Sequence, residues 1–210
     1  CIFNLAGVLS HIDDMKDPIP DLYMNTVEQL KFLLMCMEVN PGVKIVYTGT
    51  RNQYGRAKYL PVTEDHPMDP IDTNGISEIA AEMYHTLYGK TRGLKSTHLR
   101  LCNVFGPRHQ MRHSRQGVLN WFIRKIIAGE KIQLMGGGSQ IRDCVFVDDV
   151  VEALLLLAEN GDKVWGESFN IGAFPVSIKQ FVTTAIAVHG NGVYETVPFP
   201  PDRRLIEPGD

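Results

Sequence analysis

No run of about 18 apolar residues occurs in this chain, so no helical membrane span is expected. No charged leader followed by an apolar core and a small-residue cleavage site opens the sequence, so a secretory signal is not expected either. Cysteine is scarce. Cys1, Cys36, Cys102 and Cys144 are scattered and form no Cys-x-x-Cys pair, which argues against a disulfide framework or a zinc site and for reduced thiols in the cytoplasm. There is no excess of charge of one sign: the net charge is -3, which gives neither nucleic acid nor an anionic membrane anything to hold. Internal repeats and low-complexity tracts are absent as well.

What is present is an ordinary globular composition, 44% apolar and 21% charged over 210 residues. That is enough to bury one core with a small second lobe. The chain begins with Cys1, and Ile2–Gly7 already reads as a buried strand running into a loop. We therefore expect the 210 residues to belong to a longer chain; a strand at a true terminus is the alternative.

Strand and helix patterns alternate. A strand at Ile2–Leu5 leads through Asp17-Pro18 to a helix from about Leu22 to Val39, which Pro41-Gly42 ends. Val43–Thr48 is a continuous apolar run, as expected of a strand covered on both faces. A polar loop holding Pro61, Pro67 and Pro70 precedes a helix at Gly75–Tyr88 and a strand at Ser96–Leu101. Further on come a helix at Val118–Ala128, a strand at Ile132–Leu134 and a Gly136–Ser139 turn. A strand at Cys144–Val147 and a helix at Val150–Glu159 follow, the latter capped by Asp148 or Asp149. Phe169–Ile171 reads as a strand, and Ser177 as the cap of a helix at Ile178–Val188. This alternation implies an α/β fold with a parallel sheet and helices on both faces. Ligands in such folds bind beyond the carboxyl ends of the strands, where Ala6-Gly7, Thr48–Thr50 and Asn103 fall.

In order and spacing these segments resemble the extended short-chain dehydrogenase/reductases, in particular the NAD-dependent epimerase/dehydratase family that acts on nucleotide sugars. The similarity rests on Asn4-Leu5-Ala6-Gly7, Asp17-Pro18 with Asn25, Tyr47-Thr48-Gly49-Thr50 with Tyr54-Gly55, and Leu99–Arg108. Gly138–Asp143, Val147–Val150 and Phe169-Asn170-Ile171-Gly172 complete it. The resemblance implies a Rossmann-like sheet lacking its N-terminal βαβ unit, with a small C-terminal substrate lobe. On that pattern residues 1–107 would be the partial dinucleotide domain. Residues 108–210 would be mainly the substrate lobe, with about 140–160 returning to the main sheet. It implies NAD as cofactor, with NADP left open, a nucleotide-sugar substrate, and a homodimer built through helices near 22–39 and 75–88.

Carried over residue by residue, the resemblance puts Leu5, Ala6, Gly7, Asn25 and Thr48 beside the cofactor. It makes Thr50 the hydroxyl that orients the sugar, and assigns Asn103 and Arg142 to the substrate. Each has a plainer reading: a strand-end Thr, a turn Asn, a surface ion pair. Tyr54 is expected to pack. Two positions depart from the pattern. Where the family has Tyr-x-x-x-Lys, this chain has Asn74 and Glu78. Asn74 cannot titrate near neutrality and can only orient a hydroxyl or a water. Glu78 could accept from ribose hydroxyls but would oppose any phenolate. His109 and His113 lie in a loop where either could stand in as a base or simply be solvated. The family's Gly-rich phosphate turn is absent from these residues, and Gly136–Gly138 neither follows a core strand nor opens a helix, so weak dinucleotide binding is expected of the chain as given. Arg51-Asn52 after Thr50 disfavours a 4,6-dehydratase. The expected activity is a nucleotide-sugar epimerase working through a keto-sugar; the alternative is a non-catalytic homologue or an inactive fragment.

Overall fold

The computed structural model describes residues 1–8, 13–112 and 117–201. The described chain forms two compact units, one of Cys1–Leu101 with Asp148–Ile171 and the other of Cys102–Val147 with Gly172–Asp210. The first runs β1 (Ile2–Asn4), α1 (Asp13–Lys16), α2 (Ile19–Leu22), a π-helical turn (Tyr23–Glu28), α3 (Gln29–Val39), β2 (Lys44–Thr50), α4 (Thr73–Arg92) and β3 (Lys95–Leu101). The second contributes β4 (Asn103–Phe105), α5 (Val118–Ile127), β5 (Ile132–Met135) and β6 (Ile141–Phe146). The chain continues with α6 (Val147–Glu159) and β7 (Ser168–Ile171), then closes with β8 (Phe174–Ser177), α7 (Ile178–His189) and β9 (Tyr194–Val197).

In the first unit β1, β2, β3 and β7 form one sheet in that order, with every pair parallel. Ile45, Val46 and Tyr47 are all buried, as the apolar run predicts for a strand covered on both faces. Because the strands are parallel, their carboxyl ends lie along one edge, so Leu5–Gly7 after β1 and Thr50 at the end of β2 share it.

The helix expected at Gly75–Tyr88 is longer at both ends. Asp72 is its N-cap, its Oδ1 accepting from the Gly75 N–H at 2.7 Å. Gly93 ends it in the left-handed conformation at φ 70, its N–H donating to the Gly89 carbonyl. Gly75 is needed for close approach, since a Cβ there would lie 2.7 Å from the Asn52 carbonyl oxygen. Asp72→Ala should cost about 1 kcal/mol of stability, read as a lowered urea midpoint.

The helix expected at 22–39 is continuous with α2, and a π-turn is inserted at its start, a distortion often found at functional sites. Asp148 and Asp149 do not cap α6. The helix begins at Val147 and both fall inside its first turn, where their charge still complements the N-terminal dipole.

In the second unit β4, β6 and β8 form a mixed sheet, and β5 pairs in parallel with β9. The strands β4, β8 and β9 were not expected: each spans at most four residues, too few to show alternation. Asn103 is consequently in a strand rather than a turn. Leu119, Phe122 and Ile126 of α5 pack with Ile132, Leu134 and Val182 to make this unit's core. Ser177 caps α7 as expected, accepting from the Gln180 N–H at 3.1 Å. No helix among the described residues is long and apolar enough to cross a membrane.

Candidate active site

The carboxyl edge of the first sheet is lined by two rows of buried polar side chains. One row is Asp21, Asn25 and Gln29, at every fourth residue from α2 to α3; the other is Asn74, Glu78 and Glu82 on α4. Four-residue spacing puts each row on one helix face. Sequence reading picked out Asn25, Asn74 and Glu78 but missed Asp21, Gln29 and Glu82, although polar residues recurring at that spacing on otherwise apolar inner faces were a usable signal.

The first row holds the loop after β1. Gln29 accepts from Asn4 Nδ2 at 2.7 Å and donates to the Ala6 carbonyl at 2.8 Å. The Asn25 amide pairs with both backbone groups of Val8, accepting from its N–H at 2.9 Å and donating to its carbonyl at 2.8 Å. A Cβ on Gly7 would sit 3.0 Å from Asn25 Oδ1, so Gly7 leaves room for that contact. Leu5, Ala6 and Gly7 themselves are exposed at the strand end. The Thr48 hydroxyl donates to the Asn4 carbonyl at 3.4 Å.

Asn74 does not project freely. Its Nδ2 donates to Asp21 Oδ2 at 3.0 Å and to the Val8 carbonyl at 3.3 Å, and Asn25 Nδ2 donates to the same Asp21 oxygen at 2.8 Å. Asp21 Oδ1 and Asn74 Oδ1 are buried with no hydrogen-bond partner. Glu78 lies one turn along and accepts from the Tyr47 hydroxyl at 2.8 Å. Burial raises the Glu78 carboxyl to about 7; the Tyr47 hydrogen bond opposes this, while the Asp21 and Glu82 carboxylates add to it. Burial first, and then the Glu78 charge, push the Tyr47 phenol well above its usual value, which keeps it a donor. Tyr47 stacks on His85 at 4.7 Å. Burial pushes His85 well below the usual histidine value, with the nearby His98 adding to it. Burial likewise takes His98 down to about 4, Glu82 opposing and Arg100 adding.

Thr50 ends β2, and its Oγ1 accepts from the Asn52 N–H at 3.3 Å, opening a 3-10 turn that contains Gln53 and Tyr54. Gln53 is 0% exposed, and neither atom of its amide has a hydrogen-bond partner. Tyr54 packs as expected. Its hydroxyl donates to Asn170 Oδ1 at 2.7 Å and accepts from Arg100 Nη1. Arg100 also forks onto both Glu82 oxygens and donates to the Glu64 carbonyl. Burial alone would raise the Glu82 carboxyl, but its Arg100 hydrogen bond together with the His98 and Arg100 charges and Ser168 holds it below the usual range.

In the second unit Asn103 Nδ2 donates to the Asp143 carbonyl at 3.3 Å, and Arg142 Nη1 donates to the Ile141 carbonyl at 2.7 Å. Asp143 Oδ1 accepts from the Ala173 N–H at 2.9 Å and anchors that loop. His109 lies against Gly117, its Nδ1 2.8 Å from the Gln110 carbonyl. His113 lies outside the described residues. Among the described residues no cluster of His, Cys, Asp or Glu could hold a metal ion.

A parallel α/β sheet with polar groups gathered at its strand ends defines the Rossmann class of nucleotide-binding folds. The chain belongs to the NAD dependent epimerase/dehydratase family, whose model matches residues 1–172. It is 33% identical over 187 residues to a UDP-glucose 4-epimerase of Mycolicibacterium smegmatis, covering 89% of this chain and 58% of that protein. It is similar to the crystal structure of a Thermotoga maritima UDP-glucose 4-epimerase with UDP-glucose, at 31% identity and TM-score 0.83, covering 95% of this chain and 65% of that one. A Thermus thermophilus UDP-glucose 4-epimerase solved with NAD matches at 25% identity and TM-score 0.84, over 95% of this chain and 65% of that one. The chain thus spans somewhat over half the length of these relatives.

Proposed function

We propose that this chain is part of an NAD-dependent nucleotide-sugar epimerase, which oxidises one sugar hydroxyl to a ketone and reduces it again from the other face. The observation that carries the reading is the strand-end edge of the first sheet: the family's segments at Asn4–Gly7, Thr48–Thr50 and Asn74–Glu78 meet there, around buried polar groups. The edge is rich in acceptors. Glu78, Asp21 Oδ1 and Asn74 Oδ1 suit the hydroxyl and amide donors of a nicotinamide ribose and carboxamide. When bound, the dinucleotide supplies the hydride acceptor. Leu5, Ala6, Gly7, Asn25, Thr48 and Glu78 would hold it, and NADP stays an alternative to NAD.

Thr50 orients the reacting hydroxyl. The first unit serves the dinucleotide and the second the nucleotide end of the substrate, where Asn103 and Arg142 act, a guanidinium being suited to a diphosphate. Free thiols at all four cysteines fit a reducing compartment, and we place the protein in the cytoplasm. Incubating the full-length protein with NAD and a panel of UDP-, CDP- and dTDP-sugars tests the reading: an epimeric product supports it, and bound dinucleotide with no turnover on any sugar overturns it. Arg142→Ala is expected to raise KM by about 10–100-fold with a smaller change in kcat, read from initial rates.

A homodimer through α3 and α4 is part of the same proposal. Both helices expose apolar residues, among them Met35 at 57%, Val39 at 78% and Met83 at 65%. Met83→Glu should shift the sedimentation of the protein from dimer toward monomer, and an unchanged wild-type monomer would end the idea.

A further inference from the structure

We propose that Glu78, held by Tyr47, exchanges the proton of the reacting sugar hydroxyl, the task the family's tyrosine performs from the position of Asn74. This rests on the epimerase reading above.

Asn74 is disqualified by geometry as well as chemistry. Both of its amide hydrogens point at Asp21 and Val8. Glu78 is the next residue on the same helix face, beside the end of β2. A Cβ placed on Gly49, immediately before Thr50, would lie 3.8 Å from Glu78 Oε2 and 3.5 Å from Gln53 Nε2. The carboxyl and the unpartnered, fully buried Gln53 amide therefore both lie against the Tyr47 and Gly49 face of β2, one residue before Thr50 at the strand end. The glycine leaves both groups their space. Glu78 retains 8% exposure, and Tyr47 engages only Oε2.

The charged and titratable groups around it come from every packed element. These are Asp21 from α2, Tyr47 from β2, Glu82 and His85 from α4, and His98 and Arg100 from β3. Arg100 is committed to Glu82, so no cation is paired with Glu78 among the described residues. A carboxyl in that setting can be proton donor or acceptor near neutrality, as a general acid–base must be. In the oxidative half the ionised Glu78 would take the hydroxyl proton as the C=O bond forms, the bound dinucleotide supplying the acceptor for the carbon's hydride. In the reductive half the protonated Glu78 would return its proton to the oxygen, the reduced dinucleotide supplying the hydride to the ketone carbon. Tyr47 is a positioning residue: its O–H fixes Oε2 and favours the ionised form.

The test uses the full-length protein with NAD. The protonated-carboxyl stretch in the infrared, taken as wild type minus Glu78→Gln, should titrate with a midpoint near 7. Glu78→Gln should lower kcat by about 100-fold or more. Tyr47→Phe should keep most of kcat but move the acidic limb of its pH profile upward, a shift that a merely structural role would not produce. If Glu78→Gln fails to fold, the Tyr47→Phe profile still decides: an acidic limb that does not move would overturn the proposal. Wild-type kcat and an unmoved profile in Glu78→Gln would overturn the proposal while leaving the epimerase reading intact. A protein that turns over no nucleotide sugar would overturn both, and the two failures are told apart by whether the wild type itself is active.

Discussion

Arg100→Met is expected to destabilise the folded chain by about 3–5 kcal/mol, the largest effect of any single change considered. Arg100 lies on the central strand β3, paired in register with Gly49, and is buried with Glu82. Its guanidinium ties α4, the 3-10 turn after β2 and the loop carrying Glu64 to one point, through Glu82, Tyr54 and the Glu64 carbonyl. Removing it leaves Glu82 as a buried charge that keeps, among the described residues, the Ser168 hydrogen bond and His98, which carries no charge near pH 7. The size of the loss comes from that stranded carboxylate rather than from the worth of the pair, because two desolvated charges at best offset their own burial. The double change Arg100→Met with Glu82→Leu should therefore recover much of the stability. Urea unfolding of the three variants checks this, and a double variant no more stable than Arg100→Met would contradict it.

Glu78→Gln is expected to stabilise the chain at pH 8 by about 3 kcal/mol and to change little at pH 4.5 or below. Folding raises this carboxyl from 4.5 to about 7, and each tenfold corresponds to about 1.4 kcal/mol. The folded state thus prefers the protonated form. The stability that form contributes is complete below 4.5 and is lost as pH rises through 7. Glutamine keeps an acceptor for the Tyr47 hydroxyl and carries no charge to desolvate or to repel Asp21 and Glu82. His98 has the opposite sign. Its folded value of about 4 lies below the usual 6.5, so stability is complete above 6.5 and is lost as pH falls toward 4. Between 4.5 and 6.5 Glu78 opposes His98, while His85, which burial also lowers, acts with His98, so wild-type stability should rise with pH there less steeply than in a variant without the Glu78 charge. Glu78→Gln should expose the histidine slope, to which His98 and the equally buried His85 both contribute. Unfolding midpoints at several pH values across this range measure both effects. If the catalytic proposal also holds, this variant trades activity for stability, as a strained site predicts.

Much of the fold could be read from local pattern. The apolar run around Ile45–Tyr47, the Ser177 cap and the helix carrying Asn74 and Glu78 depend on neighbours within a turn or two. The short strands β4, β8 and β9 could not be read, because each exists only through its pairing with a distant segment. The site divides in the same way.

The sequence by itself determined the order of the family's segments, the absence of a titrating phenol at position 74, and the placing of Glu78 on the same helix face. It could not determine what that carboxyl does. Tyr47 reaches it from 31 residues away, Asp21 holds Asn74 across 53, and Arg100 neutralises Glu82 rather than Glu78. A side chain's charge near neutrality depends on how much water is excluded and which charges are brought close. Both are decided only when helices and strands pack, so the tertiary structure alone turned Glu78 from a missing lysine into a group able to carry a proton.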